Sequence, residues 1–243
     1  MIRGDPAAAA GLAVILDAHR RYLETDRREG ARADLRGADL SRMNLVAVDL
    51  RRARLAHARL DDADLSRALL EGANLSGASL RGARLREAGL ARARLSGTDL
   101  VGADLSAARI EGAELEFALL EQASLARARL ADCDLSGANL AGADLSDADL
   151  QRANLRGVDA RGARLDGADL RAARLGGAIL SGASLRGCDL RGSYLRVAKL
   201  DGADLCGADL RDAVGLTATQ IASARRDDRT RLPPDWAAGG SDG

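Results

Sequence analysis

Two histidines and three cysteines are the side chains best suited to metal or nucleophilic chemistry, at His19, His57, Cys133, Cys188 and Cys206. A zinc site or a catalytic triad needs several such groups close together. The cysteines form no Cys-x-x-Cys pair, and neither histidine belongs to a cluster with them. The glycines recur on a five-residue interval and do not open a helix after a strand, as a phosphate-binding loop requires. We therefore predict no catalytic, cofactor-binding or metal-binding residues, no cofactor, and no enzyme activity.

The charge balance and composition exclude further classes of function. The chain has 36 Lys and Arg against 36 Asp and Glu, a formal net charge of zero, which argues against direct nucleic-acid binding through phosphate neutralisation. No apolar run reaches the ~18–20 residues of a membrane span. The apolar stretch 7–16 follows Asp5 and precedes Asp-Ala-His-Arg-Arg, unlike a signal peptide. Together with the unpaired cysteines, this predicts a cytoplasmic protein.

A five-residue repeat organises most of the chain. From Leu35 to Leu210, 36 successive positions at an interval of five are apolar, and 34 of them are Leu; the exceptions are Ile110 and Ala160. The residue two positions earlier is Ala in 29 of the 36 units. A period of five matches neither a helix nor a plain strand, so the chain must turn once in each unit. The Gly, Ser, Asp and Arg residues after each Leu suit tight turns.

The unit A(D/N/R)LxG, as in ADLRG, ANLSG and ARLDG, resembles that of the pentapeptide-repeat family, A(D/N)LXX, over residues 31–212. The resemblance implies an all-β solenoid, a right-handed quadrilateral parallel β-helix in which four units make one square coil. Its central Leu and the residue two before it point inward. The 36 units then make about nine coils of 20 residues. At ~4.8 Å per coil, the rod is roughly 40 Å long.

Both ends of the repeat resemble caps, which divides the chain into three parts. We predict an N-terminal capping helix within 1–30, covering 7–28, the β-helix over 31–212, and a C-terminal capping helix with a flexible tail over 213–243. Thr217 and Gln220 have the spacing of a capping box for a short helix to about Arg226. These segments either cap the rod only or also form a homodimer through an end cap, for which the tail with Trp236 is the candidate.

The five-residue pattern also sorts inward from outward residues. We call the four faces of the rod first to fourth, the first being the one that contains Leu35. Cys133 and Cys188 fall at inward positions, and Cys206 is predicted to be exposed. Phe117 falls at a turn between the first and second faces, where most coils have Gly, so it should point outward. Exposed apolar residues on one edge suggest a protein contact; the candidates are Val101, Phe117, Leu119, Ile179, Tyr194 and Val197.

One acidic ladder marks the fourth face. It consists of Asp149, Asp169, Asp189 and Asp209, and Arg171, Arg191 and Arg211 run beside it. The ladder is either neutralised by these arginines or a strip that imitates a row of phosphates.

Two functions follow from these features. The first is a non-enzymatic interaction module that binds an unknown protein partner. The second is implied by the resemblance, because quinolone-resistance and gyrase-inhibitor members are DNA mimics that occupy the DNA-binding saddle of type II topoisomerases. Those members have strongly negative surfaces, whereas no face of this chain is strongly acidic. The first function is therefore preferred, and a topoisomerase stays a candidate partner.

Overall fold

The computed structural model describes residues 6–26 and 28–234. Its repeat region is a stack of parallel coils in which each strand is reduced to a single bridged residue. These bridged residues occur at every fifth position from Asp34 to Val214, and each pairs with the residue 20 positions further along, from Asp34 with Arg54 to Tyr194 with Val214. Four five-residue units therefore make one coil, which confirms the solenoid-type fold.

Each unit turns through the same hydrogen bond. In the unit at 115–119, the Ala118 N–H donates to the Leu115 carbonyl oxygen at 3.1 Å, and Phe117 between them has φ of 57°. This is the geometry of a type II turn, which requires a positive φ at its third residue. The neighbouring coils are joined by backbone bonds on both sides, from Leu119 N to Thr98 O and from Leu120 N to Asn139 O.

The core contains the two inward residues of each unit. Leu120 and Ala118 are fully buried, and their equivalents along the rod are buried too, except Ala38 and Val48 in the first coil, which are half-buried. Val158 and Ala160 exchange the large and small positions and are both buried, so the interior keeps its volume at this coil. Thr98 is a polar residue at one of these inward positions, and its hydroxyl donates a hydrogen bond to the Leu75 carbonyl oxygen at 3.0 Å.

Helix α1 spans Pro6–Glu24 and lies against the first coil. Leu12 is buried in the core, and Ile15 and Leu16 pack against it. The prediction that the helix continues to residue 28 was wrong, because the chain leaves the helical region at Asp26, which has φ of 48°. The Thr25 hydroxyl supports this exit, since it donates to the Arg21 carbonyl oxygen and accepts from Glu29 N.

Helix α2 spans Ala218–Ser223 and begins with the predicted capping box. The Thr217 hydroxyl accepts from Gln220 N, and the Gln220 side-chain oxygen accepts from Thr217 N at 2.7 Å. The helix ends before the predicted Arg226 because Arg225 pairs as an extended residue with Asp204. Arg231 pairs likewise with Asp209, so the C-terminal segment adds a partial coil to the rod. Trp236 lies outside the described residues.

Neither helix, within the residues described, is both long and apolar enough to cross a membrane.

Candidate interaction surface

Phe117 points outward, as predicted, with 71% of its surface exposed. Its backbone is in the left-handed region, where residues other than glycine are uncommon. The ring lies over Gly137 of the next coil, so close that a Cβ there would be 2.7 Å from a ring carbon. Glycine at 137 thus leaves the space in which the Phe117 ring rests. His57 has the same arrangement over Gly77 at the equivalent position three coils earlier.

Leu119 follows Phe117 on the second face, and Val101 is on the same face one coil earlier. Leu119 is 41% exposed, although it bridges Asp99 and Asn139 in the strand position. Val101 is half-buried and follows Asp99 by two residues, its N–H bonded to the Asp99 carboxylate at 3.1 Å. The turn closed by the bond from Ala103 N to the Leu100 carbonyl oxygen contains Val101, so Val101 lies at the turn between the second and third faces. Phe117 and Leu119 therefore remain the exposed pair at the predicted edge, and the placement of Val101 on that edge was wrong.

A second apolar cluster lies near the C-terminal end of the same edge. Val197 is 71% exposed. Tyr194 is also exposed, and its ring lies over Gly176, where an added Cβ would be 3.3 Å from a ring carbon. Ile179 is only half-buried. Val214 bridges Tyr194 and is 51% exposed, which the sequence analysis missed. Continuing the five-residue pattern for one more unit beyond Leu210 would have found it.

Val197 is also held in an unfavourable conformation. Its φ of 53° is in the left-handed region, which costs a non-glycine residue roughly 1–2 kcal/mol and suits a β-branched side chain least of all. Most of its equivalents along the rod, such as Gly157 and Gly177, are glycines. A strained and exposed apolar residue contributes little to folding, which favours a role on the surface.

The acidic ladder is present but largely neutralised. Its four aspartates bridge one another in successive coils and are half-buried. Three of them are held by bidentate arginines two residues further on: Asp169 by Arg171, Asp189 by Arg191, and Asp209 by Arg211, with closest distances of 2.5–2.6 Å. The hydrogen bonds from these arginines lower the pKa of Asp189 and Asp209.

Asp149 is the member of the ladder without such an arginine, since Gln151 stands there and only its backbone N–H bonds the carboxylate. The ladder therefore presents little net charge beyond Asp149.

The buried cysteines are core residues. The Cys133 and Cys188 thiols donate to the carbonyl oxygens of Ile110 and Leu165, and burial raises both pKa values to about 12. The prediction that Cys206 is exposed was wrong, since only 6% of its surface is accessible. The reason is the C-terminal segment, which folds back so that Asp227 accepts a hydrogen bond from the neighbouring Gly207 N–H.

The two histidines have different surroundings. His19 on α1 is fully buried, where its Nδ1 accepts from Ala33 N at 3.1 Å and its ring stacks on Tyr22. Burial is the main cause that lowers the pKa of His19, so it is neutral at pH 7. His57 is exposed on its turn. Across residues 6–26 and 28–234, no group of three or more His, Cys, Asp and Glu side chains is placed to hold a metal ion.

Comparison with known proteins identifies the repeat. A family model described as pentapeptide repeats matches in 8 copies, over residues 31–67, 63–100, 88–127, 113–152, 148–187 and 168–212. No curated protein matches the chain in sequence.

The solved structures that are similar to the chain include HetL, QnrB1 and a plant protein. HetL, a pentapeptide repeat protein involved in heterocyst differentiation regulation from the cyanobacterium Nostoc sp. strain PCC 7120, is 35% identical, with 85% of this chain and 92% of HetL covered and a TM-score of 0.34. QnrB1, a plasmid-mediated fluoroquinolone resistance protein, is 17% identical, with coverages of 80% and 95% and a TM-score of 0.47. A thylakoid-lumen pentapeptide repeat protein from Arabidopsis thaliana is 26% identical, with coverages of 53% and 74% and a TM-score of 0.37.

The matched repeats run without a gap from residue 31 to residue 212 and coincide with the coils that pair every 20 residues. The chain belongs to the pentapeptide-repeat family.

Proposed function

We propose that the chain is a non-enzymatic interaction rod that binds a protein partner through the edge between its first and second faces. The observation that carries the proposal is the exposed Phe117, whose ring stands on a polar rod in a backbone conformation that disfavours it. Aromatic residues on exposed patches are typical anchors of protein contacts. A cytoplasmic location is part of the proposal and is supported by the three unpaired cysteines.

The proposed rod has about nine right-handed coils, closed at its ends by α1 and by the C-terminal segment. Two contacts support these capping roles, the packing of Leu12 into the core and the pairing of Arg225 and Arg231 with the last coil. The C-terminal segment already occupies backbone groups of that coil, which disfavours strand pairing with a second rod there. A homodimer through this end is therefore less favoured than contact through the edge.

A DNA-mimic modulator of type II topoisomerase, giving protection or resistance to topoisomerase poisons, is the second candidate. Its support is the ladder of Asp149, Asp169, Asp189 and Asp209, and the bidentate arginines weaken that support because they cancel most of the charge. A DNA gyrase supercoiling assay with and without a poison tests it. We expect neither inhibition nor protection; either effect at low micromolar protein would favour this second function.

The interaction proposal predicts that Phe117→Asp with Leu119→Asp reduces partner capture at least about tenfold, a loss of ~1.4 kcal/mol in binding. Both side chains are exposed, so the circular dichroism spectrum and melting should stay unchanged. Capture is measured by pull-down from a lysate, identification of the retained protein, and titration of that protein in purified form.

The matched control is His57→Asp with Leu69→Asp. His57 has the same turn position as Phe117 and likewise lies over a glycine. Leu69 is an exposed strand residue on the fourth face, and it pairs with Asp49 of the preceding coil as Leu119 pairs with Asp99. The control should keep full capture. Equal losses in both double variants, or unfolding of the Phe117 variant, would contradict the proposal.

A further inference from the structure

Charge is distributed unevenly along the first face, which consists of the outward residues before and after each Leu equivalent to Leu115. Its middle coils carry Glu114, Glu116 and Asp134, and the coils that follow carry Arg156, Arg174 and Arg196. Net charges are −3 and +3 for these two groups, counted from the six residues just named. The four coils before them carry three arginines and one aspartate, and Arg94 among them pairs with Glu114 at 3.3 Å. The stretch from Glu114 to Arg196 is therefore acidic in its first half and basic in its second half.

The basic half consists of arginines without a close carboxylate partner in the described chain. Arg156, Arg174 and Arg196 are exposed, and none forms an ion pair with another residue of 6–26 or 28–234. This differs from the fourth face, where each arginine of the ladder holds an aspartate. An exposed row of unpaired arginines beside an acidic row on the same face is a pattern that a complementary surface can satisfy.

The apolar residues of the adjoining edge have a matching symmetry. Phe117 and Val197 occupy equivalent turn positions 80 residues apart, which is four 20-residue coils. The three equivalent positions between them are Gly137, Gly157 and Gly177. At this turn position the edge thus has an apolar side chain in the first and the last of five coils and glycine in the three coils between them. Gly157 is the midpoint.

We propose that the protein partner of this edge is a second copy of the chain, docked antiparallel and side by side about a two-fold axis near Asn154 and Gly157. The inference rests on the proposed function of the edge and names its partner. A two-fold axis makes the contact self-complementary, since each residue meets a residue equally far beyond the midpoint. Antiparallel docking then places the acidic half of one copy against the basic half of the other.

The register of this dimer follows from the coil positions. Glu116 faces Arg196 of the second copy, and Asp134 faces Arg174 of the second copy. Each pair occurs twice. Phe117 meets Val197 of the second copy, and its ring, which leans over Gly137, approaches the bare position of Gly177 there.

The side chains concerned are available for these contacts. Glu116 accepts one hydrogen bond, from the Ser96 hydroxyl at 2.7 Å, and has no arginine partner in the described chain. Asp134 is bound by Ser136 and Asn154 only. Arg156 is the one unfavourable residue, because it meets its own equivalent near the axis; its long exposed side chain can keep the guanidinium in water.

The contact is small, so the dimer is weak. From Phe117 to Val197 it extends over four coil spacings, about 19 Å at ~4.8 Å each. An interface of this length on a narrow rod is at the low end for specific complexes, and we expect a dissociation constant on the order of micromolar. Salt should weaken the dimer, because all four ion pairs are formed by surface side chains.

Reversing the charges of one pair tests the register. Sedimentation velocity and light scattering on the purified chain, from about 1 to about 100 µM, should show a monomer–dimer equilibrium. Arg196→Glu alone and Glu116→Arg alone should each raise the dissociation constant at least about tenfold, and the double variant should restore it to within about threefold of the wild type. Arg67→Glu, a reversal of an exposed arginine on the third face, should leave it unchanged.

Val197→Gly is a second variant that does not rely on charge. Replacing a strained residue at positive φ by glycine preserves or raises the melting temperature, and the same change removes an apolar contact, so dimerisation should weaken while the fold stays intact. A wild-type chain that is monomeric across the whole range, or a double charge reversal that does not rescue, would overturn the inference. If the chain is monomeric but Phe117→Asp with Leu119→Asp still abolishes capture of a different protein, the proposed function stands without this dimer.

Discussion

Leu120→Ala should lower the free energy of unfolding by about 3 kcal/mol, whereas Leu119→Ala should change it by less than about 0.5 kcal/mol. The two leucines are adjacent, yet Leu120 is fully buried and Leu119 is 41% exposed. Shortening Leu120 removes buried apolar surface and leaves a cavity between coils that cannot collapse, because both neighbouring coils are fixed by backbone bonds to this one. Urea unfolding followed by circular dichroism measures both changes.

Leu80→Ala is the control for Leu120→Ala. Leu80 is fully buried on the same face two coils earlier, so its loss should match that of Leu120 within about 1 kcal/mol. A Leu119→Ala variant as unstable as Leu120→Ala would show that the inward and outward positions are displaced by one residue. The candidate surface built on Phe117 would then be wrong as well, because the same assignment places both residues.

The repeat region could be predicted from sequence because each unit fixes its own geometry. A side chain two positions from another lies on the same side of an extended segment, and the turn hydrogen bond from Ala118 to Leu115 recurs in every unit. The direction of Phe117 and the exchange of Val158 with Ala160 therefore followed from position alone. The edge residues were found in the same way, although their binding role stays a prediction.

The C-terminal segment could not be predicted in the same way because it leaves the repeat. Arg225 and Arg231 pair with residues 21 and 22 positions earlier instead of 20. No fixed interval in the sequence indicates such pairings, which depend on how the Thr217 turn and α2 direct the chain. The burial of Cys206 results from this return of the chain, and its predicted exposure was wrong for that reason.

The ion pairs could likewise be predicted only in part from the sequence. The ladder of aspartates and the arginines two residues beyond them could be read from the sequence. Their bidentate geometry depends on side-chain conformations, and it decides that the strip is nearly neutral at Asp169, Asp189 and Asp209. Only the structure shows that Arg156, Arg174 and Arg196 form no ion pair in the described chain. An arginine can pair with a carboxylate one coil away, as Arg152 does with Asp132.

On each of its four faces the last complete coil forms hydrogen bonds with the segment that follows it, and Gln220 supplies those of one face. On three faces the partners are the main-chain groups of Val214, Arg225 and Arg231. On the remaining face the Gln220 side-chain amide donates to the carbonyl oxygens of Leu195 and Ala198 at 3.0 and 2.7 Å. One side chain therefore caps the start of α2 and also covers two carbonyl groups at the edge of the coil.

Gln220→Ala is expected to lower the free energy of unfolding of the C-terminal end by about 2–3 kcal/mol, since it removes two hydrogen bonds to partly buried carbonyls and the acceptor of the capping box. Coils contact only their neighbours, so the loss should open this end and spare the middle of the rod. Hydrogen exchange should become faster at Gly202 and Leu205, whose N–H groups bond Ser223 and Arg225, and stay unchanged at Leu120.

Gln220→Glu keeps the acceptor for Thr217 but loses both donors, and it should be at least as unstable. Exchange at Gly202 and Leu205 as slow as in the wild type would show that the end is held without Gln220.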